Sequence, residues 1–264
     1  MTSRYRVKRG APVRLRQHAT TVRDAPKNAA AVVHRLGERL NDLEDKLSAS
    51  HQRSLLVVLQ GMDGSGKDEI ICEVFQRVNP SRLRVAAFSE PSKDEDDHDF
   101  LWRAHNRAPA RGEIVIFDRS HYEGVLVERV HGKVKPAVWR KRYDEINAFE
   151  QTLANHGTVI LKFFLHMSRD EQRRRLEERL TKPEKAWKFS DADLRERKLW
   201  SQYMRAYEDA LTKTSTPYAP WFVIPADARD ARNVIVGTIV TEALEALKLR
   251  YPRPKVDVKN VTID

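Results

Sequence analysis

Short apolar runs separated by stretches of helical periodicity set the rhythm of this chain. Five runs read as strands, at residues 55–60, 83–88, 113–118, 158–166 and 221–225. Between and around them the apolar positions recur every three or four residues. Val32, Val33, Leu36, Leu40 and Leu43 mark a helix over 28–48, another starts near Gly66, and a closing helix runs from about 227 to 249. Apolar strands alternating with helices predict an α/β fold, a parallel five-stranded sheet covered by helices on both faces.

Two stretches break the rhythm. Residues 89–99 carry six acids and one lysine, which predicts a surface loop entering a helix. Residues 168–213 form two charged helical segments with no strand between them, and Ser168 with Glu171 and Ser190 with Asp193 are capping-box starts. A helical hairpin inserted between the fourth and fifth strands has the form of a kinase lid. The division is therefore a basic arm over 1–27, one domain over 28–250 with a lid at about 168–213, and a frayed tail over 251–264.

Composition narrows the class. The share of apolar residues is 41% and of charged residues 33%, which excludes a disordered chain, and no apolar run approaches the ~20 residues that span a bilayer. Cys72 is the only cysteine, so no internal disulfide or cysteine metal cluster can form. It follows Ile70 and Ile71 on a predicted helix and reads as a buried structural thiol. One cysteine and no secretory segment point to the cytoplasm. The formal charge of +10 favours polyanionic partners without choosing among nucleic acid, anionic membrane and phosphate-rich substrates.

The choice is made by residues 61–67, Gly-Met-Asp-Gly-Ser-Gly-Lys, which have the spacing of a phosphate-binding loop between a strand and a helix. Glycines let successive N–H groups turn inward around a phosphate, the helix adds its positive end, and Lys67 supplies a mobile cation. Three of the ten glycines of the chain fall within these residues. Where such loops usually carry Ser or Thr, to ligate magnesium, this one has Asp68. Asp63, inside the loop, would repel a bound phosphate unless a cation lay between them, so it reads as a magnesium ligand, the alternative being a cap of the helix or turn. Asp118 ends the third strand, where ligands gather in open α/β sheets, and is the natural second ligand. Arg119 follows and could reach the transferred phosphoryl group.

These residues resemble the polyphosphate kinase 2 family. The resemblance is carried by residues 59–68 (Leu-Gln-Gly-Met-Asp-Gly-Ser-Gly-Lys-Asp), by 98–103 (His-Asp-Phe-Leu-Trp-Arg) and by 111–131, which contains Phe-Asp-Arg-Ser-His-Tyr-Glu. It continues at 171–179, 187–189, 197–200 and 219–226. Asp68 is what that family shows at its position.

The resemblance implies a three-layer P-loop kinase-like fold with a helical lid. It implies magnesium, or manganese in its place, and transfer of the terminal phosphoryl group between inorganic polyphosphate and nucleotides (AMP, ADP and ATP, with GMP and GDP as further candidates). A homo-oligomer, dimer or tetramer, is implied as well. Asp63, Lys67, Asp118, Arg119 and Glu123 are the implied catalytic set, with Asp63 and Asp118 on the metal. Phosphate or nucleotide would be held by Gly61, Met62, Asp63, Gly64, Ser65, Gly66, Lys67, Asp68, Arg119, Arg129, Arg175, Arg179 and Lys182. Lys185 and Lys188 follow on the lid; without the resemblance these basics read as a solvated face paired with Glu171, Glu177, Glu178 and Glu184. Glu123 looks like the branches that act on monophosphates, or on both mono- and diphosphates.

Two rivals share parts of this pattern. An ATP-dependent nucleoside monophosphate kinase has the same loop and lid. A nucleic-acid-binding P-loop protein would use the basic arm, but no nucleic-acid module is recognisable and none is expected as a partner. No membrane partner is expected either. The aromatics Trp102, Trp139, Trp200, Trp221 and Phe149 read as core, and His98, His121 and His131 as cap or surface residues.

Overall fold

A computed structural model describes residues 2–22, 26–187 and 189–254 of the chain. After the N-terminal arm come α1 (Ala29–Ser50), β1 (Ser54–Gln60), α2 (Lys67–Val74), β2 (Leu83–Ala87), α3 (Lys93–Asp96), α4 (Trp102–His105) and β3 (Ile114–Asp118). A 3-10 turn at His121–Gly124 leads to α5 (Val127–Val130), α6 (Pro136–Asn155) and β4 (Thr158–His166). The helices α7 (Arg169–Thr181), α8 (Pro183–Ala186), α9 (Asp191–Lys198) and α10 (Trp200–Thr214) follow, then β5 (Trp221–Pro225) and α11 (Arg229–Ala246).

The strands form one parallel sheet in the order β2-β3-β1-β4-β5. β1 lies at the centre and is buried along its whole length, as an apolar run covered on both faces should be. Its side chains alternate between two cores: Leu56 and Val58 face α6 and α10, while Leu55, Val57 and Leu59 face α1, α2 and α11. Each such side chain contributes roughly 1.5–3 kcal/mol by burial. The helices carry matching stripes, as on α10, where Tyr203, Ala206, Tyr207, Ala210 and Leu211 are buried at helical spacing.

The arm is docked along β5. Val7 donates its N–H to the Trp221 carbonyl (2.9 Å), Arg6 bridges Phe222 in antiparallel fashion, and Val7, Val13 and Leu15 are buried. This covers a sheet edge that would otherwise be open for pairing. The segment predicted as a loop contains the helical turn α3, closed by a full capping box between Ser92 and Glu95. Its acid Glu95 is held by Arg103 and Arg107 rather than by solvent alone. The Ser190–Asp193 capping box is complete. At Ser168 only half of one forms, because the Glu171 carboxylate turns to Arg174 and Arg175 instead. In the predicted tail Tyr251 donates to Asp45 (2.7 Å), and residues 255–264 lie outside the described residues.

A polar cluster interrupts the first core. Lys162 on β4 and Glu150 on α6 form an ion pair at 2.5 Å with both side chains completely buried. The Tyr122 and Thr214 hydroxyls and the His121 ring complete it. His121 is thus not the cap or surface residue that its sequence context implied; its Nε2 meets the carboxylate of Glu150, remote in sequence, in the core, while its Nδ1 is buried without a partner.

Cys72 also departs from expectation, for it is exposed. On α2 the core face is set by Ile70 and Val74, and a residue two positions past Ile70 points about 200° around the helix. The thiol should therefore react with a thiol reagent in native buffer as fast as a free cysteine, and Cys72→Ser should shift stability by less than about 0.5 kcal/mol. Reaction only after denaturation would contradict this placement.

Candidate active site

The loop between β1 and α2 is defined by what holds its carbonyls. Lys67 Nζ donates to the Gly61 carbonyl (3.2 Å), Ser65 N–H to Met62 (3.0 Å) and Ile70 N–H to Gly66 (3.1 Å). The other three carbonyls are met from distant parts of the chain. Gln172 Nε2 donates to Asp63 O, Arg175 Nη1 to Gly64 O and Arg232 Nη1 to Ser65 O, each at 2.9 Å. With the carbonyls held outward, an anion meets the amide side of the loop and the N-terminus of α2. Gly66 sits at φ 95°, a conformation that L side chains resist, and a Cβ there would fall on the Arg232 guanidinium.

Asp118 stands at the carboxyl end of β3, beside β1 in register with Leu59. Its Oδ1 is buried without a hydrogen-bond partner. Burial raises its pKa above the usual carboxylate range; Lys67 opposes the rise and the neighbouring charge of Asp68 adds to it. An orphaned carboxylate oxygen next to a second acid, Asp63, fits a hard divalent cation whose shell is completed by phosphate oxygens and water. Among the described residues no group of three or more His, Cys, Asp or Glu gathers, here or elsewhere, so the protein would offer such a cation these two carboxylates and no larger cluster.

Arg119 bridges this centre to its surroundings. Its Nη2 pairs with Asp63 Oδ1 (2.9 Å) from a left-handed backbone at φ 60°. Burial works against its charge, but Asp63 and Glu123 outweigh burial and raise its pKa. Glu123, half-buried, accepts from Gln60 Nε2 (3.0 Å). Its pKa is raised by burial, with Arg119 and Gln60 acting against the shift. Both residues line a cleft of about 770 Å³ that opens beside Gly61–Asp63. The far side of the cleft is built by Phe100, Arg103, Arg142 and Glu128, and α9 and α10 close it with Arg195, Tyr203 and Tyr207.

Among the residues singled out from sequence, the loop, Asp118, Arg119 and Glu123 come together. Asp68 is exposed on the first turn of α2, close enough to act on Asp118. Arg175 is placed differently from a phosphate contact. It is buried, with Nη1 on Gly64 O, Nη2 on Ala226 O and Asp227 O, and Nε on Glu171. Arg129 lies outside the cleft lining, paired with Asp209 and stacked over Trp139. Arg179 pairs with Asp193 (3.0 Å), and Lys182 is exposed between α7 and α8. Lys188 lies outside the described residues.

Arg232 and Arg142 escape a reading of the sequence, whereas Gln172 stands inside the recognised segment 171–179. Arg232 sits in the closing helix with no motif around it, and its role follows only from the 2.9 Å contact with Ser65 O across 167 positions. Arg103 stands inside a recognised segment, where its buried position at the cleft could have been anticipated.

Comparisons with known proteins show which family the chain resembles. The sequence profile of the family described as polyphosphate kinase 2 matches residues 24–252. An AMP/ADP-polyphosphate phosphotransferase of Meiothermus ruber is 51% identical over 242 residues, covering 92% of this chain and 90% of that protein. An ADP-polyphosphate phosphotransferase of Rhodopseudomonas palustris is 41% identical over 266 residues, covering 95% and 92% respectively. The crystal structure of polyphosphate kinase 2 from Arthrobacter aurescens superposes with a TM-score of 0.91 at 39% identity, over 97% of this chain and 92% of that one.

The Asp118 carboxyl has a stability consequence. Its raised pKa means the folded, metal-free protein holds this proton more tightly than the unfolded chain. The stabilisation is complete in acid and is lost as pH rises through the raised value. At pH 7 the ionised carboxylate is a liability in the absence of metal. Asp118→Asn should raise the melting temperature measured in EDTA by about 2–4 °C, while lowering phosphoryl transfer on the order of 10²-fold or more. A variant that melts lower than the wild type at pH 7 would contradict the stability part.

Proposed function

The chain belongs to the polyphosphate kinase 2 family, and we propose that it transfers the terminal phosphoryl group of inorganic polyphosphate to both AMP and ADP, with magnesium as the bound cation. Phosphoryl transfer between polyphosphate and nucleotides is the reaction; the dual acceptor and the metal are the finer reading. One observation supports it above the others: the phosphate loop opens into a cleft that Gly61–Asp63 line together with Arg119 and Glu123, and Arg119 pairs with Asp63 of the loop. A donor phosphate chain on the loop and an acceptor nucleotide in the cleft would meet at that guanidinium. The relative named for both AMP and ADP supports the acceptor class.

In this reading an acceptor phosphate oxygen attacks the terminal phosphorus in line. The bridging P–O bond breaks, and the shortened chain leaves with the electron pair. The attacking oxygen is already ionised at neutral pH, so positioning and charge neutralisation do the catalytic work. Lys67, buried against the loop, and Arg119 carry the charge spread over the equatorial oxygens. Magnesium held by Asp63 and Asp118 would supply the remaining positive charge. Glu123, anchored by Gln60, orients the acceptor side.

The helices of residues 168–213 serve as the lid. Gln172 and Arg175 bolt the first half of α7 to the loop, so lid motion belongs to the segment beyond it, which carries Arg179 and Lys182. A cytoplasmic homo-oligomer completes the reading, supported by the single cysteine and by the family resemblance. Among the described residues no helix is long and apolar enough to cross a membrane.

The test is ATP formation from polyphosphate, magnesium and ADP, run beside the same reaction with AMP. Product from both acceptors, abolished by EDTA and restored by magnesium, is the expected result. ADP formed from ATP and AMP, with no product from polyphosphate, would instead identify an ATP-dependent monophosphate kinase. Activity with ADP alone would remove the dual-acceptor part.

A further inference from the structure

Residues 119–123 contribute Arg119, Ser120, His121 and Glu123 to the cleft lining, from a backbone that resists its own shape. At φ 60° Arg119 occupies the left-handed region, which long side chains avoid. A strained conformation persists only where its surroundings over-determine it. In front, Arg119 pairs with Asp63, which would turn toward the cation if it ligates one. The Arg119 N–H donates to the Leu59 carbonyl on β1 (3.1 Å), and the remaining restraint lies behind, in the residues that follow it.

Behind it lies the buried polar cluster. Ser120 Oγ accepts from Gln60 Nε2 (3.1 Å) and from Tyr122 N–H (3.2 Å), tying the turn to β1. The next two side chains point into the first core. His121 Nε2 meets Glu150 Oε1 at 3.2 Å, and the Tyr122 hydroxyl lies 2.9 Å from the same oxygen and 2.8 Å from Lys162 Nζ. Lys162 donates further to Glu150 Oε2 (2.5 Å) and Thr214 O (2.7 Å), while Thr214 Oγ1 accepts from Trp221 Nε1 (2.8 Å). Five elements, β4, α6, α10, β5 and the 3-10 turn, thus converge on one ion pair. A buried ion pair is weak support for stability, because apolar side chains of similar volume often serve as well or better. What apolar packing does not supply is direction: each hydrogen bond here fixes one orientation of the turn.

We propose that the Lys162–Glu150 pair is a positioning device for phosphoryl transfer, which holds His121 and Tyr122 and so sets the turn that aims Arg119 and Glu123 at the reacting phosphates. The proposal rests on the reaction assigned above. Neither Lys162 nor Glu150 touches substrate; both act through the turn.

The pair is tested by removing it whole, as Glu150→Gln/Lys162→Met, so that no lone charge is left in the core. The double variant should melt within about 4 °C of the wild type. Its kcat for polyphosphate-dependent phosphorylation of ADP should fall about tenfold or more, with KM for polyphosphate changed less than about twofold. Arg119→Lys distinguishes aim from general damage. It should cost on the order of 10²-fold in the wild type but less than about threefold in the double variant, since an arginine already misaimed has little left to lose. A double variant with wild-type kcat, or an equal cost of Arg119→Lys in both backgrounds, overturns the proposal. Should the double variant yield no folded protein, Tyr122→Phe decides: a kcat lowered about threefold or more at unchanged KM and melting temperature supports the device, and an unchanged kcat overturns it. A wild type that transfers nothing from polyphosphate would refute the assigned reaction instead.

Discussion

Everything in the site depends on a loop whose carbonyls must face away from the ligand. Six residues cannot present their amides to a phosphate chain unless the opposite edge of the backbone is satisfied elsewhere, because buried carbonyls without partners are costly. Three of those carbonyls are satisfied locally, by Lys67, Ser65 and Ile70. The other three are satisfied by Gln172, Arg175 and Arg232, which approach from α7 and α11. The loop is therefore not a local motif carried by the sheet. Its shape is set by helices more than a hundred residues away, and the requirement for glycine at 66 follows from the closeness of Arg232.

This arrangement explains which parts of the molecule are legible in the sequence. The strands are readable because each is a short apolar run in a sheet covered by helices, and β4 and β5 fall on their predicted limits. The loop, Asp118 and Arg119 are readable because phosphate chemistry demands those residue types at that spacing. Arg175 is not, because charge and helical position are the same for a residue that faces phosphate and one that faces the loop behind it. Only the carbonyls of Gly64, Ala226 and Asp227 distinguish the two, and they come together only in the fold. Cys72 misleads for a simpler reason. Apolar neighbours in sequence are not neighbours on a helix, and the position two past Ile70 faces solvent.

The same logic separates two kinds of charge. Some charges gather at the carboxyl end of the sheet, where the proposed reaction takes place: Lys67, Arg119, Asp63 and Asp118. Others answer the backbone or one another, as Arg175, Arg232 and the Lys162–Glu150 pair do. The net charge of +10 does not distinguish them. Nor does burial, for Lys67 is covered as Arg175 and Arg232 are, while Lys182 stands in solvent between α7 and α8.

The most direct test of this division is the salt dependence of polyphosphate binding. Calorimetric titrations over a range of salt concentrations, with wild type and Arg175→Met, give both affinity and the slope of log K against log salt. Each cationic contact to a polyanion contributes nearly one unit to that slope through released counterions. If Arg175 holds the loop and not the phosphate, the variant binds more weakly at every salt concentration and keeps the wild-type slope. A slope smaller by about one unit would make Arg175 a phosphate ligand and contradict its role as a brace of the loop carbonyls.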